Sequence, residues 1–253
     1  MNRWMPAALA AALCLAPPAL AQKGADFAAA VSAPGRPAEQ IALDASRQPA
    51  AVLEFLGLKK GMTAADIMAG AGYYSEIMAR VVGPTGKVLA FEPKNFYEGD
   101  PKAKGIWAEL IARAPNVSVN PYPFDGFAAP ASSLDFTLLH LVYHDLYWQS
   151  EKYGVPRTDP ALFLKALFAA TRPGGIVGLV DHVGPAGDTR QVVEALHRID
   201  PAVIKADFAA AGFKLEAESD VLRMPADDHS LMVYNPAIRG KTDRVVYRFR
   251  KPN

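Results

Sequence analysis

The stretch from Asp66 to Gly72 constrains this chain more than any other. Thr63 to Met68 reads as a short strand, and Tyr73 to Val82 carries Ile77, Met78, Val81 and Val82 at helical spacing. Only Ala69-Gly70-Ala71-Gly72 separates them. A strand that turns into a helix over small residues lets a ligand approach the backbone closely, and the start of the helix offers unpaired N–H groups. A second strand, Lys87 to Phe91, ends at Glu92, 26 positions after Asp66. A carboxylate placed there can accept both hydroxyls of a ribose, so the pair of elements predicts a nucleoside site.

The alternation continues. A helix is expected near Pro101 to Arg113 and a strand near Val117 to Asn120. Leu134 to Leu141 is a nearly continuous apolar run, as in a strand buried on both faces. Pro160 to Thr171 has helical spacing, and Pro173-Gly174-Gly175 turns into a strand at Ile176 to Val180. A helix follows from Thr189 to Ala211, interrupted at Pro201 and stopped by Gly212. Lys214 to Glu218 and Val245 to Phe249 are the last two strands. Ahead of the first strand, Pro37 to Arg47 and Pro49 to Phe55 read as two short helices with proline in the first turn. The pattern predicts one α/β domain over residues 37–253, with a mainly parallel seven-stranded sheet and helices on both faces. One long connection, Tyr143 to Asp159, is expected to form a flap rich in aromatics.

Residues 1–21 belong to another physical category. Arg3 is followed by the apolar stretch Ala7 to Leu15 and by Ala19-Leu20-Ala21, an A-x-A cleavage signal. The stretch is too short to span a bilayer, which takes about 20 residues. These residues read as a secretory signal peptide, which predicts a periplasmic or secreted protein. Residues 22–36, rich in Ala, Gly and Pro, read as a flexible leader. Cleavage removes Arg3 and the single cysteine, Cys14, leaving 26 positive and 26 negative residues. The mature chain then has no disulfide, no further segment apolar enough to cross a membrane and no basic stripe for nucleic acid. A small molecule is the expected partner, and oligomeric state stays open.

With these residues in place, the sequence resembles the class I S-adenosylmethionine-dependent methyltransferases. The first motif of that family, D/E-x-G-x-G-x-G, reads here Asp66, Met68, Gly70, Gly72. The acid closing the second strand is Glu92, and the acid after the third is Asp125, in Pro123-Phe124-Asp125-Gly126. The fourth strand Leu134-Asp135-Phe136-Thr137, the turn Pro173-Gly174-Gly175 and Ala211-Gly212-Phe213 follow in the family's order. More narrowly, Gly70-Ala71-Gly72-Tyr73-Tyr74, Tyr143-His144-Asp145, Val180-Asp181-His182 and Leu196-His197-Arg198-Ile199-Asp200 resemble an exported group of predicted methyltransferases. The resemblance implies a doubly wound, Rossmann-like fold and S-adenosylmethionine as cofactor. It assigns cofactor binding to Asp66, Gly70, Gly72, Tyr73, Glu92 and Asp125. Met68 is the departure, since the motif places glycine there.

The chemistry is expected on the rim formed by the carboxyl ends of the strands. His144 and Asp145 follow the fourth strand, Asp181 and His182 end the fifth, and His197, Arg198 and Asp200 lie on the next helix. An oxygen or nitrogen acceptor needs a base, and histidine suits that near neutral pH. His144 is the first candidate, oriented by Asp145 or Asp181, with His182 second. The competing reading is a satisfied polar network. Catechol-type O-methyltransferases hold magnesium with carboxylates after the fourth and fifth strands, where Asp145 and Asp181 stand here, but no compact ligand motif occurs and a metal is not favoured. Arg239 to Arg244 reads either as an anion contact for substrate or as a solvated hairpin with internal ion pairs. Asp227-Asp228-His229 reads as a polar turn. Met68 and export also leave open a non-catalytic binding or structural protein on the same fold.

Overall fold

The structure, a computed structural model, describes Met1 and residues 25–253. Apart from Met1, the signal-peptide reading of residues 1–21 lies outside the described residues. Seven strands form one sheet: β1 Thr63–Ile67, β2 Lys87–Pro93, β3 Val117–Tyr122, β4 Leu134–His140, β5 Thr171–His182, β6 Lys214–Ser219 and β7 Arg244–Arg250. Their spatial order is β3-β2-β1-β4-β5-β7-β6. The first five run parallel, and β7 lies antiparallel between β5 and β6. The order reverses between β1 and β4, so the crevice for a ligand opens above their carboxyl ends.

Adjacent residues of the central strands point to opposite faces, and both faces are buried. Ala64, Leu138 and Val180 join one apolar cluster, with Leu53, Ile77 and Trp107. Ala65, Leu139 and Leu179 join the other, with Phe163, Ile204 and Phe208. The helices that cover the first face are α4 Pro49–Leu56, α5 Tyr73–Val82 and α7 Ala103–Arg113; α8 Pro160–Ala170 and α10 Pro201–Ala210 cover the second. Their ends follow local chemistry. Asp159 and Asp200 accept N–H bonds from Ala161 and Ala202 ahead of prolines at N1, and Gly57 closes α4 in the left-handed conformation.

Several expectations are corrected. Within the loose leader, Phe27–Val31 forms helix α1, capped by Asp26 and packed with Ala30 buried against the first cluster. Pro37 to Arg47 divides into α2 Ala38–Ile41 and α3 Asp44–Arg47, and a short helix, α6 Lys94–Gly99, precedes α7. The Pro-Gly-Gly turn lies inside β5, beside a shift in its register with β4. The long helix after β5 breaks at His197–Asp200 into α9 Thr189–Leu196 and α10, because His197 turns left-handed with φ 50°. β1 and β4 each stop one residue early for the same reason: Met68 and Leu141 have φ 52° and 60°. Tyr143 to Asp159 is anchored by buried Tyr143, Leu146 and Val155, with a 3-10 turn at His144–Tyr147.

Gly72 shows why the turn needs glycine. Its φ is 74°, and a Cβ there would lie 2.3 Å from Leu110 Cδ1 and 3.0 Å from the Trp107 ring. Gly57 shares the conformation, with φ 84°, but a Cβ would sit at an ordinary 3.5 Å from Ile176 Cδ1. Gly57→Ala therefore carries only backbone strain, about 1–2 kcal/mol. Gly72→Ala adds overpacking and is expected to cost about 2–5 kcal/mol in total. Urea unfolding of the two variants measures the difference; equal losses would contradict this account of the turn.

Candidate functional site

Three cavities run side by side along the crevice. The first, of about 530 Å3, is lined by Gly70, Ala71, Glu92, Asn95, Trp107 and Tyr153, among others. The second, of about 400 Å3, shares Gly70 and Ala71 and adds Gln40, Asp66, Met68, Tyr73, His140 and His144. The third, of about 760 Å3, shares Arg47, Leu141, His182 and Tyr234 with the second. The glycine turn thus divides the first two cavities, and His182 lies where the second meets the third.

The turn is held from two sides. The Gly70 N–H donates to Glu92 Oε2 at 2.8 Å, joining the ends of β1 and β2. From above, Gln40 Nε2 donates to the Ala71 carbonyl at 3.0 Å. The Tyr73 hydroxyl donates to Asp44 Oδ1 at 2.7 Å, and Arg36 grips the same carboxylate with two nitrogens. The N-terminal helices α2 and α3 therefore roof the second cavity. Met68 has a left-handed backbone and lines the same cavity.

Two carboxylates border the site in low-dielectric surroundings. Burial raises Glu92 to about 8 despite the Gly70 N–H, and the nearby Asp66 adds to the rise. Burial raises Asp66 to about 7, against the 2.6 Å hydrogen bond from Ser75 Oγ. Several buried atoms lining the cavities have no partner among the described residues: Asn95 Oδ1 on the first, and Gln40 Oε1 and His140 Nε2 on the second. Orphaned buried polar atoms cost free energy, so these are places for a polar ligand. A Cβ on Gly70 would meet nothing within 4 Å, so open cavity space lies above it.

The histidines form a cluster with opposite charge states. His144 Nδ1 lies 2.7 Å from Asp181 Oδ1, and His144 N–H donates to Asp181 Oδ2. Burial works against a charged imidazole, yet Asp181 and Asp145 together raise His144 to about 9. His182 is the reverse. Burial, with positive His144, Arg244 and Arg198 nearby, lowers it to about 3, although Asp181 opposes. Its Nδ1 is 2.8 Å from Thr242 Oγ1. His197 is lowered to about 4 by burial and His144, and it sits in an aromatic nest with Trp148 and Tyr234.

Of the residues expected to bind cofactor, Asp66, Gly70, Tyr73 and Glu92 line the first two cavities. Gly72 lines neither and serves packing; Asp125 is exposed in the turn after β3 and also lines neither. His144 and His182 reach the second cavity, while Asp145 lines none of the three and lies 3.4 Å from His144 Nε2. Arg198 does not lean over the rim: it is buried in a bidentate pair with Asp227, so the Asp227 turn is a buried ion pair as well. Asp200 caps α10. Among the described residues, no three His, Cys, Asp or Glu side chains converge to hold a metal ion. No helix among them is long and apolar enough to cross a membrane. Gln40, Arg47, Asn95, His140 and Tyr234 are additional lining residues that the motifs do not mark.

Comparison with known proteins agrees with this geometry. Residues 31–97, which include the turn and Glu92, match the protein-L-isoaspartate(D-aspartate) O-methyltransferase family. No curated protein matches the chain. Among solved structures, a SAM-dependent methyltransferase from Aquifex aeolicus is 21% identical, covers 85% of this chain and 98% of its own, and gives a TM-score of 0.57. An S-adenosylmethionine-dependent methyltransferase from Mesorhizobium loti is 16% identical over 83% of this chain and 100% of its own, with a TM-score of 0.56. The [4+2]-cyclase SpnF is 18% identical over 82% of each chain, with a TM-score of 0.54. The fold is that of the class I methyltransferases.

The His144–Asp181 pair makes stability depend on pH. A folded-state value near 9 lies above the ordinary 6.5, so the folded protein holds a proton that the unfolded chain has lost between these values. The stabilisation is complete below pH 6.5 and is lost as pH rises through 9. His144→Gln removes this part of the profile. The difference in unfolding free energy between wild type and His144→Gln is expected to shrink from pH 6.5 to pH 9.5. A difference that is constant over that range would contradict the charged pair.

Proposed function

We propose that the protein is an S-adenosylmethionine-dependent methyltransferase acting on a small-molecule acceptor. The observation that carries this reading is the pair of cavities meeting at Gly70 and Ala71, with Glu92 on one side and Asp66 and Gln40 on the other. The residues fit the cofactor. Glu92 and Asn95 Oδ1 would take the ribose and base polar groups in the first cavity, beside the Trp107 ring. Asp66 and the orphaned Gln40 Oε1 would take the ammonium of the amino-acid end in the second. Bound there, the cofactor supplies an electrophilic methyl group on a sulfonium.

The chain's own residues do the rest. Gln40, Leu43 and Tyr73 roof the cavity and exclude water. His144 is protonated at neutral pH and has no lone pair to offer, so it acts as a positioning residue with Asp181. The base is His182, neutral at pH 7, with Nδ1 turned to Thr242 Oγ1 and Nε2 left to take the acceptor's proton. Lowered to about 3 it is a weak base, and it serves as one when a nearby negative charge raises it. This reverses the order of the two histidines expected from sequence.

Ribose hydroxyls would donate to the ionised form of Glu92, whose carboxyl burial raises to about 8. Calorimetry with S-adenosylhomocysteine is therefore expected to show affinity rising as pH passes from 7 to 9, with proton release on binding. Glu92→Gln should weaken binding about tenfold or more and flatten this dependence, because hydrogen bonds to a charged group contribute about 1.5–3 kcal/mol. Gly70→Val should abolish binding by filling the open space above the turn. No binding of S-adenosylhomocysteine at millimolar concentration would overturn the reading.

Export is proposed on residues 1–21 alone. Protein recovered from a periplasmic or culture fraction is expected to begin at Gln22 by mass spectrometry; an intact Met1 would contradict cleavage.

A further inference from the structure

The third cavity has a charge imbalance that the proposed reaction does not use. Arg47, Arg239, Lys241 and Arg244 line it, and no aspartate or glutamate among the described residues does. The carboxylates nearby in sequence are engaged elsewhere. Asp243 accepts from Arg223, His229 and the Met224 N–H, and Asp227 is bound by Arg198. Arg244 is only 3% exposed, yet it pairs with no carboxylate among the described residues. Its Nε and Nη2 donate to the main-chain carbonyls of Thr242 and Ser46, at 3.2 and 2.7 Å, and Nη1 makes no hydrogen bond among the described residues. A buried guanidinium without a counter-ion is costly unless a ligand supplies one. Leu141, Leu222, Val233 and Tyr234 give the wall an apolar part, beside the neutral polar Ser46, Gln48, His182 and Thr242. The internal ion pairs of a solvated hairpin, one reading of Arg239 to Arg244, are therefore not what holds this segment.

We infer that the third cavity is the acceptor site and selects acceptors with an apolar body and an oxyanion, which Arg244 binds with help from Arg47 and Arg239. The inference rests on the methyltransferase reading for the word acceptor, but the anion site itself does not. The geometry couples the two. His182 lines both the second and third cavities and is held by Thr242, two residues before Arg244. An acceptor anchored by its oxyanion at Arg244 extends its other end toward His182 and the cofactor turn. The anchoring group is distinct from the atom that is methylated. Burial and Arg47 lower the Arg244 guanidinium below its usual range, with Tyr74 and, more weakly, Asp243 opposing, and a bound anion would offset the lowering. Its negative charge would likewise raise His182 from its low value and strengthen it as a base. The volume of about 760 Å3 suits one drug-sized molecule.

The test is binding of matched probes to the purified protein by ligand-observed NMR and calorimetry. The probes are 4-hydroxyphenylacetate, its neutral amide, and 4-hydroxyphenyl phosphate. Both anions are expected to bind at least tenfold tighter than the amide, and the stronger of the two identifies the oxyanion as carboxylate or phosphate. The preference should fall at least fivefold in Arg244→Gln and in Arg239→Gln, whose exposed side chain can be changed without disturbing the core. Equal affinity for anion and amide, no binding by either anion up to 20 mM (about the weakest affinity such contacts would give), or an undiminished preference in both variants would overturn the inference. S-adenosylhomocysteine titrated into the same samples separates the two proposals. If it binds while the anions do not, the acceptor site is wrong and the cofactor reading stands. If the anions bind and it does not, the anion site stands and the methyltransferase reading falls.

Discussion

The hydrogen bond from the Gly70 N–H to Glu92 is the contact on which the rest of the site depends. It can form only if the backbone after β1 turns left-handed, which Met68, Gly70 and Gly72 all do, at φ 52°, 58° and 74°. That conformation brings the turn close enough to the end of β2 for a buried carboxylate to accept from it. It also starts α5 at Tyr73, whose hydroxyl reaches Asp44 and anchors the N-terminal roof. One local geometry thereby sets the floor, the divider and the lid of the crevice. Strain at a non-glycine residue such as Met68 costs of order 1–2 kcal/mol and persists because β1 and the cavity wall hold it.

Burial then distributes charge along the crevice. Glu92 and Asp66, with few compensating cations, drift upward and become sites whose ionisation a ligand can control. His144 escapes the same fate because Asp181 is fully buried against it, so the pair keeps its charges. His182, next along β5, meets the positive side of that pair and the arginines beyond, and it stays neutral. Two histidines 5.9 Å apart thus differ in protonation through their neighbours alone. The gradient runs from carboxylates beside the glycine turn to cations in the third cavity that have no carboxylate partner among the described residues. Such a gradient suits a cationic cofactor at one end and an anionic acceptor at the other.

Much of this was legible in the sequence because it depends on local chemistry. The glycine turn, the acid ending β2 and the apolar strands name themselves through residue type and spacing, and Asp66, Gly70, Tyr73 and Glu92 line the cavities. Burial and partners were not legible. Nothing local distinguishes the charge states of His144 and His182; the difference is which one faces Asp181 and which one faces Thr242. Arg198 and Asp227 are 29 positions apart and meet only through the fold, so a buried ion pair read as a rim residue and a polar turn. Asp125 matched a motif by position, yet its turn points it to solvent. Gln40 and Arg47 belong to a segment whose helices are only four residues each, too short for periodicity to show that they roof a site. His197, Leu141 and Met68 ended their elements early through left-handed backbones that residue type did not announce.

The central claim is that the glycine turn seats a nucleoside cofactor with its reactive end toward His182. A crystal structure of the protein with S-adenosylhomocysteine tests it most directly. The account predicts the ribose hydroxyls on Glu92, the amino-acid end between Asp66 and Gln40, and the sulfur facing the wall shared by the second and third cavities. Density for the ligand outside the first two cavities, or bound there with its sulfur turned away from His182, would contradict it.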